Sequence, residues 1–147
     1  MKLCALALLG LMAACGTPTP RGVERVPAAA TGEVAPLVTA ELGRARHDGR
    51  QLLVYVGATW CEPCRRFHAA AAAGKLNQAF PSLRLYEFDL DRDRARLERA
   101  GYRSELIPLF ARPNSDGRAS GRQIEGSIKG DGAVGEIAPR LRALLGP

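Results

Sequence analysis

Leu52-Leu53-Val54-Tyr55-Val56-Gly57-Ala58-Thr59-Trp60-Cys61-Glu62-Pro63-Cys64-Arg65-Arg66-Phe67-His68 carries a β-branched, apolar run straight into two cysteines three residues apart. The run 52–56 reads as a buried strand, and Gly57-Ala58-Thr59 as a short connection. The segment from Cys64 to Ala73, with its five consecutive alanines, reads as a helix. The two thiols therefore sit at a strand-to-helix junction, with Cys61 facing the free N–H groups of a helix N-terminus. Those groups and the helix macrodipole stabilise a thiolate and lower its pKa. Pro63 suits this position, because the first helical turn does not need its missing N–H.

The C-x-x-C spacing alone is ambiguous, since zinc ribbons, haem attachment sites and redox disulfides all use it. Haem attachment needs a histidine directly after the second cysteine, where Arg65 stands, and no cysteine follows Cys64 to complete a zinc ribbon. A purely structural disulfide is a weak reading, because so short a loop constrains the unfolded chain little. Redox chemistry is the favoured reading.

Trp60-Cys61-Glu62-Pro63-Cys64 after a hydrophobic strand resembles the active site of thioredoxin-fold disulfide oxidoreductases. The Glu-Pro dipeptide most resembles the membrane-tethered, extracytoplasmic thioredoxins associated with cytochrome c maturation. The resemblance implies an α/β thioredoxin fold over roughly residues 36–145, with a central mixed sheet of about four strands flanked by helices. It implies that Cys61 and Cys64 form a catalytic redox disulfide, Cys61 attacking and Cys64 resolving. It also implies substrate contacts from Trp60, Glu62, Pro63, Ile107 and Pro108, with Ile107-Pro108 as a cis peptide beside the dithiol. A core position for Trp60 is as good a reading as the rim.

The N-terminus says where such a protein works. Met1-Lys2 is a minimal positive region and Leu3 to Met12 an apolar one, too short to span a bilayer. It ends Leu11-Met12-Ala13-Ala14-Cys15, which resembles a bacterial lipoprotein signal, 1–14, whose following cysteine becomes lipidated. Cys4 would leave with the signal and Cys15 would be capped, so Cys61 and Cys64 alone remain as free thiols. Residues 15–35, with Pro18, Pro20 and Pro27 among Gly, Thr and Ala, read as a tether reaching at most about 60 Å. The domain occupies 36–147. The expected location is the extracytoplasmic, periplasmic side of a bacterial membrane.

The formal charge of +6 is carried almost wholly by arginines scattered between acids rather than clustered. A nucleic-acid surface would want blocks of charge and interleaved aromatics, so no nucleic-acid partner is expected and the basic surface reads as solvated. The expected partners are protein thiols or disulfides as substrate, a membrane thiol-electron carrier as donor, and the membrane through the lipid. A monomer without cofactor or resident metal is expected.

Further along, Pro36 opens a helical stretch stopped by Asp48-Gly49, the strand at 51–57 follows, and Gly74 ends the active-site helix. Leu83 to Phe88 alternates and reads as a second, parallel strand. Asp91 is expected to cap a short helix closed by Gly101. Leu109–Ala111 and Gln123–Glu125 flank the turn Asn114-Ser115-Asp116-Gly117 as an antiparallel hairpin. Val134, Ile137, Ala138, Leu141, Leu144 and Leu145 mark a last helix, kinked or shortened at Pro139.

Two departures stand out. Many thioredoxins bury an acid six residues before the first cysteine for proton transfer; Tyr55 stands there, and a phenol near pKa 10 is a poor base at neutral pH. The proton must then pass to Glu62, water or another group. His68, four residues after Cys64 on one helical face, supports a rival reading: a Cu(I)- or Zn-binding carrier using Cys61, Cys64 and His68. A surface histidine is the blander reading of His68. A third reading is a non-catalytic thioredoxin-fold binding protein.

Overall fold

The computed structural model describes residues 21–146. The expected signal at 1–14 with Cys4, the expected lipidation site Cys15 and the first part of the expected tether lie outside the described residues.

The elements run β1 (Glu24–Pro27), α1 (Val34–His47), β2 (Gln51–Gly57), α2 (Glu62–Ala72), β3 (Leu83–Asp89), α3 (Leu90–Arg99), β4 (Leu109–Pro113), β5 (Ala119–Glu125) and α4 (Ala133–Leu145). They build one five-stranded sheet in the order β1-β3-β2-β4-β5. The first three strands in that order are mutually parallel, β4 runs antiparallel to β2, and β5 antiparallel to β4. Strand β2 reads as a nearly continuous apolar run because helices cover both its faces. On one face Leu53, Tyr55, Leu85 and Phe110 pack against Phe67 of α2 and Ile137 and Leu141 of α4. On the other, Val54, Val56, Tyr86 and Phe88 pack against Val34 and Val38 of α1 and Leu97 of α3. Among the described residues no helix is long and apolar enough to cross a membrane.

The structure corrects the sequence-based expectation in four places. The sheet has five strands, not about four, and the added one, β1, lies inside the stretch read as a tether. Its hydrophobic period is hidden because ion pairs hold it: Glu24 meets Arg84 and Arg50, and Arg25 grips Glu87 with two hydrogen bonds. As an edge strand it accommodates Pro27. Helix α1 begins at Val34 rather than Pro36, which falls in the first turn. Asp89, not Asp91, caps α3, accepting from the backbone N–H groups of Asp91 and Arg92 at 2.9 and 3.1 Å. Helix α4 runs from Ala133 to Leu145 with Pro139 inside it, so the proline does not shorten it.

Not all arginines are solvated. Arg84 and Glu41 are buried beside each other, and so are Asp93 and Arg96. Arg84 reaches Glu24 at 2.7 Å, Glu41 at 3.1 Å and Asp48 at 2.6 Å, tying β1, β3 and the end of α1 together. Arg96 donates to the carbonyls of Ala29, Thr31 and Gly32 and to Asp93, closing the loop after β1 over α3.

Candidate active site

Strand β2 ends at Gly57, and four residues later Cys61 serves as the N-cap of α2. The Cys64 backbone N–H donates to Cys61 Sγ at 3.2 Å, so the sulfur occupies the helix N-terminus as the spacing predicts. Pro63 stands in the first turn. Cys61 and Cys64 are joined by a disulfide. Both are buried, but they face different spaces. Cys61 lines an outer groove of about 410 Å³ together with Trp60, Glu62, Pro63, Leu106 and Ile107. Cys64, 1% exposed, lines a separate cavity of about 420 Å³ behind the helix.

The groove gathers most of the expected substrate contacts. Trp60 is 61% exposed, which places it on the rim rather than in the core. Its indole N–H donates to Asp91 Oδ2 at 2.9 Å, so Asp91 fixes the tryptophan instead of capping α3. Ile107–Pro108 is cis, as expected. Pro108 itself is buried just before β4, and its carbonyl accepts from the Gly126 N–H at 2.9 Å. Leu106 is 61% exposed beside Ile107 and extends the apolar rim.

By sign alone Arg65 and Arg66 would support a thiolate on Cys61 and Glu62 would oppose it. Arg65 instead donates to the Thr59 carbonyl at 2.9 Å, and Arg66 lies 3.4 Å from Glu62 and 2.7 Å from Asp131. Glu62 also accepts from the Gly130 N–H at 3.2 Å. Arg66, Glu62 and Asp131 pair with one another and Arg65 is held by a backbone carbonyl, leaving the helix N-terminus as the main local influence on Cys61.

His68 is half-buried. Its ring lies tilted against Tyr55 with the centroids 5.0 Å apart, and Nε2 lies 3.2 Å from Glu87 Oε1, off the line of a hydrogen bond. Among the described residues no three His, Cys, Asp or Glu side chains are gathered so as to hold a metal ion. Glu87 is the site residue that sequence reasoning missed. It opposes Tyr55 across the parallel β2–β3 pair, each at the fifth position of a seven-residue strand. In-step register of the two strands was the only signal that pointed to it. Burial raises the Glu87 pKa, but contacts with His68 and Arg25 outweigh that and hold it below the ordinary glutamate value. Burial pushes the Tyr55 phenol up, with the Glu87 charge adding to the effect.

No protein-family model matches the sequence, and no curated protein matches it. Solved structures do resemble the fold. A wild-type thioredoxin h from poplar is 23% identical, covers 86% of this chain and 98% of its own, and superposes with a TM-score of 0.52. A mutant thioredoxin from Halobacterium salinarum is 18% identical over 88% of this chain and 92% of its own, with a TM-score of 0.47. The fold rests on the first of these together with the topology above. The chain has the α/β thioredoxin fold, with a mixed five-stranded sheet.

Proposed function

We propose that this protein is a thiol–disulfide oxidoreductase, working mainly as a reductase of protein disulfides and tethered by lipidated Cys15 on the extracytoplasmic side of a bacterial membrane. The observation that carries the redox reading is the two-sided setting of the disulfide, with Cys61 toward the groove rimmed by Trp60, Leu106 and Ile107 and Cys64 toward a separate cavity behind α2. A structural staple has no use for that asymmetry.

In the reduced protein the Cys61 thiolate attacks one sulfur of a substrate disulfide. A mixed disulfide forms and the other substrate sulfur leaves with the electron pair, taking a proton from solvent. Cys64 then loses its proton and attacks Cys61 Sγ, re-forming the Cys61–Cys64 bond and releasing the second substrate thiol. Two electrons pass to the substrate, and a dithiol donor must return them. The rim of Trp60, Leu106 and Ile107 supplies apolar contact for an extended segment around the target cysteine. Purified full-length protein should accelerate insulin reduction with dithiothreitol as donor. No acceleration over dithiothreitol alone would end the redox reading.

The anchor rests on Leu11-Met12-Ala13-Ala14-Cys15. Wild type is expected in the membrane fraction, and Cys15→Ala in the soluble fraction or as unprocessed precursor. Cys15→Ala that fractionates like wild type with an uncapped N-terminus would refute the lipid anchor.

A further inference from the structure

A resolving thiol buried like Cys64 gives up its proton reluctantly, since burial disfavours the thiolate. The proton needs an acceptor within reach, and the groove side is closed to Cys64 while the substrate is attached to Cys61. The cavity of about 420 Å³ behind α2 is the other space that Cys64 meets. Its charged and titratable lining comes from every surrounding element: Arg25 of β1, Tyr55 of β2, Arg65 and His68 of α2, Glu87 and Asp89 of β3, and Arg92 of α3.

Most of these groups are poor acceptors. The guanidiniums hold their protons at any working pH. Tyr55 is a donor, its phenol pushed further up by burial. Asp89 caps α3. The Glu87 carboxylate already receives two hydrogen bonds from Arg25, at 2.7 and 3.0 Å, which weakens it as a base. His68 remains, and imidazole is the side chain that exchanges protons near neutrality.

The geometry supports the same residue. His68 lies one helical turn beyond Cys64, and both line the cavity. Two buried polar atoms there, His68 Nε2 and Tyr55 OH, have no protein hydrogen-bond partner. A roomy, solvent-open cavity with such atoms and charged groups on its wall is a place that water fills and bridges. Gly57 keeps the space open: a β-carbon there would stand 2.6 Å from the Tyr55 hydroxyl oxygen.

Resting on the oxidoreductase reading, we propose that this cavity is the proton route of the resolving step, with His68 taking the Cys64 proton through water and Glu87 and Tyr55 positioning its ring. The Cys64 S–H bond breaks and its proton passes to His68. The remaining electron pair forms the Cys64–Cys61 bond as the substrate–Cys61 bond breaks, its pair leaving on the substrate sulfur, which takes a proton from solvent. His68 then returns the proton to solvent through the cavity mouth.

The test uses reduced full-length protein mixed with 5,5′-dithiobis(2-nitrobenzoate). The first burst of released chromophore reads attack by Cys61, and the second reads attack by Cys64 on the mixed disulfide. His68→Gln is expected to slow the second phase about ten-fold or more at pH 7. Its rate should then climb toward wild type as rising hydroxide takes over the proton, with the first phase unchanged. Glu87→Gln, which keeps the imidazole but removes the carboxylate charge 3.2 Å from it, should slow the second phase less than His68→Gln does. A second phase with wild-type rate and wild-type pH profile in folded His68→Gln would overturn the proposal. If that variant does not fold, the same result in Glu87→Gln would overturn it. Wild type that reduces insulin while the variants behave as wild type removes the proton route alone. Wild type that fails to reduce insulin removes the oxidoreductase reading and the route with it.

Discussion

Cys64→Ser should leave the protein covalently caught on its substrates, and Cys61→Ser should leave it inert. Cys61 caps α2, its sulfur held by the Cys64 N–H, and it faces the groove. The reacting disulfide must come from that side, so Cys61 makes the first bond. Without the Cys64 thiol nothing displaces the mixed disulfide, and non-reducing gels should show adducts that dithiothreitol dissolves. Without Cys61 no adduct forms, and steady-state insulin reduction should fall by at least about a hundred-fold in either variant, as when a nucleophile is removed. Limiting iodoacetamide on the reduced wild type should label Cys61 first, since Cys64 is covered by its neighbours. Adducts formed through Cys64 in preference to Cys61, or equal labelling of the two, would reverse the assigned roles.

Arg84→Met should produce the largest loss of stability, about 3–5 kcal/mol out of a total of roughly 5–15. The guanidinium joins Glu24, Glu41 and Asp48, and Glu41 is 2% exposed. Removing it leaves Glu41 with Arg44 as its sole partner, and it loosens β1 from the sheet edge. The urea midpoint should fall with the slope unchanged. Arg84→Met combined with Glu41→Leu should recover much of the loss, because the penalty comes from an unpaired buried charge rather than from a missing attraction. A midpoint equal to wild type in Arg84→Met would show the cluster to be energetically idle. Acid should weaken the fold through the other buried pair. Burial opposes the Asp93 charge, but hydrogen bonds from Arg92 and Arg96 outweigh it and lower its pKa. That contribution is therefore present above the unfolded value, near 3.9, and is lost as pH falls through the folded value. Asp93→Asn should flatten this acid slope.

The elements from α1 to α4 were legible in the sequence because their signals are local. Strand β2 announces itself by an unbroken β-branched run, α2 by alanines, and the hairpin by Asn114-Ser115-Asp116-Gly117. Cys61 at a helix N-terminus follows from the same local order, and the structure places it there. The rival metal reading also came from local spacing, because two side chains four apart share a helical face. Helical spacing does not say what stands opposite that face. Opposite His68 stand Tyr55 and Glu87, from two different strands.

What this sequence determined by itself is the set of elements within its reach of a few residues, their order, and the position of the dithiol at one helix start. Tertiary structure alone decided the fifth strand, the burial of Arg84 and Arg96, and the Tyr55–His68–Glu87 cluster behind Cys64. The reason is range: Glu24 meets Arg84, and Arg25 meets Glu87, across about sixty residues of chain. A charge carries no period of its own, so its partner, and with it the choice between solvent and interior, exists only once distant strands lie in register.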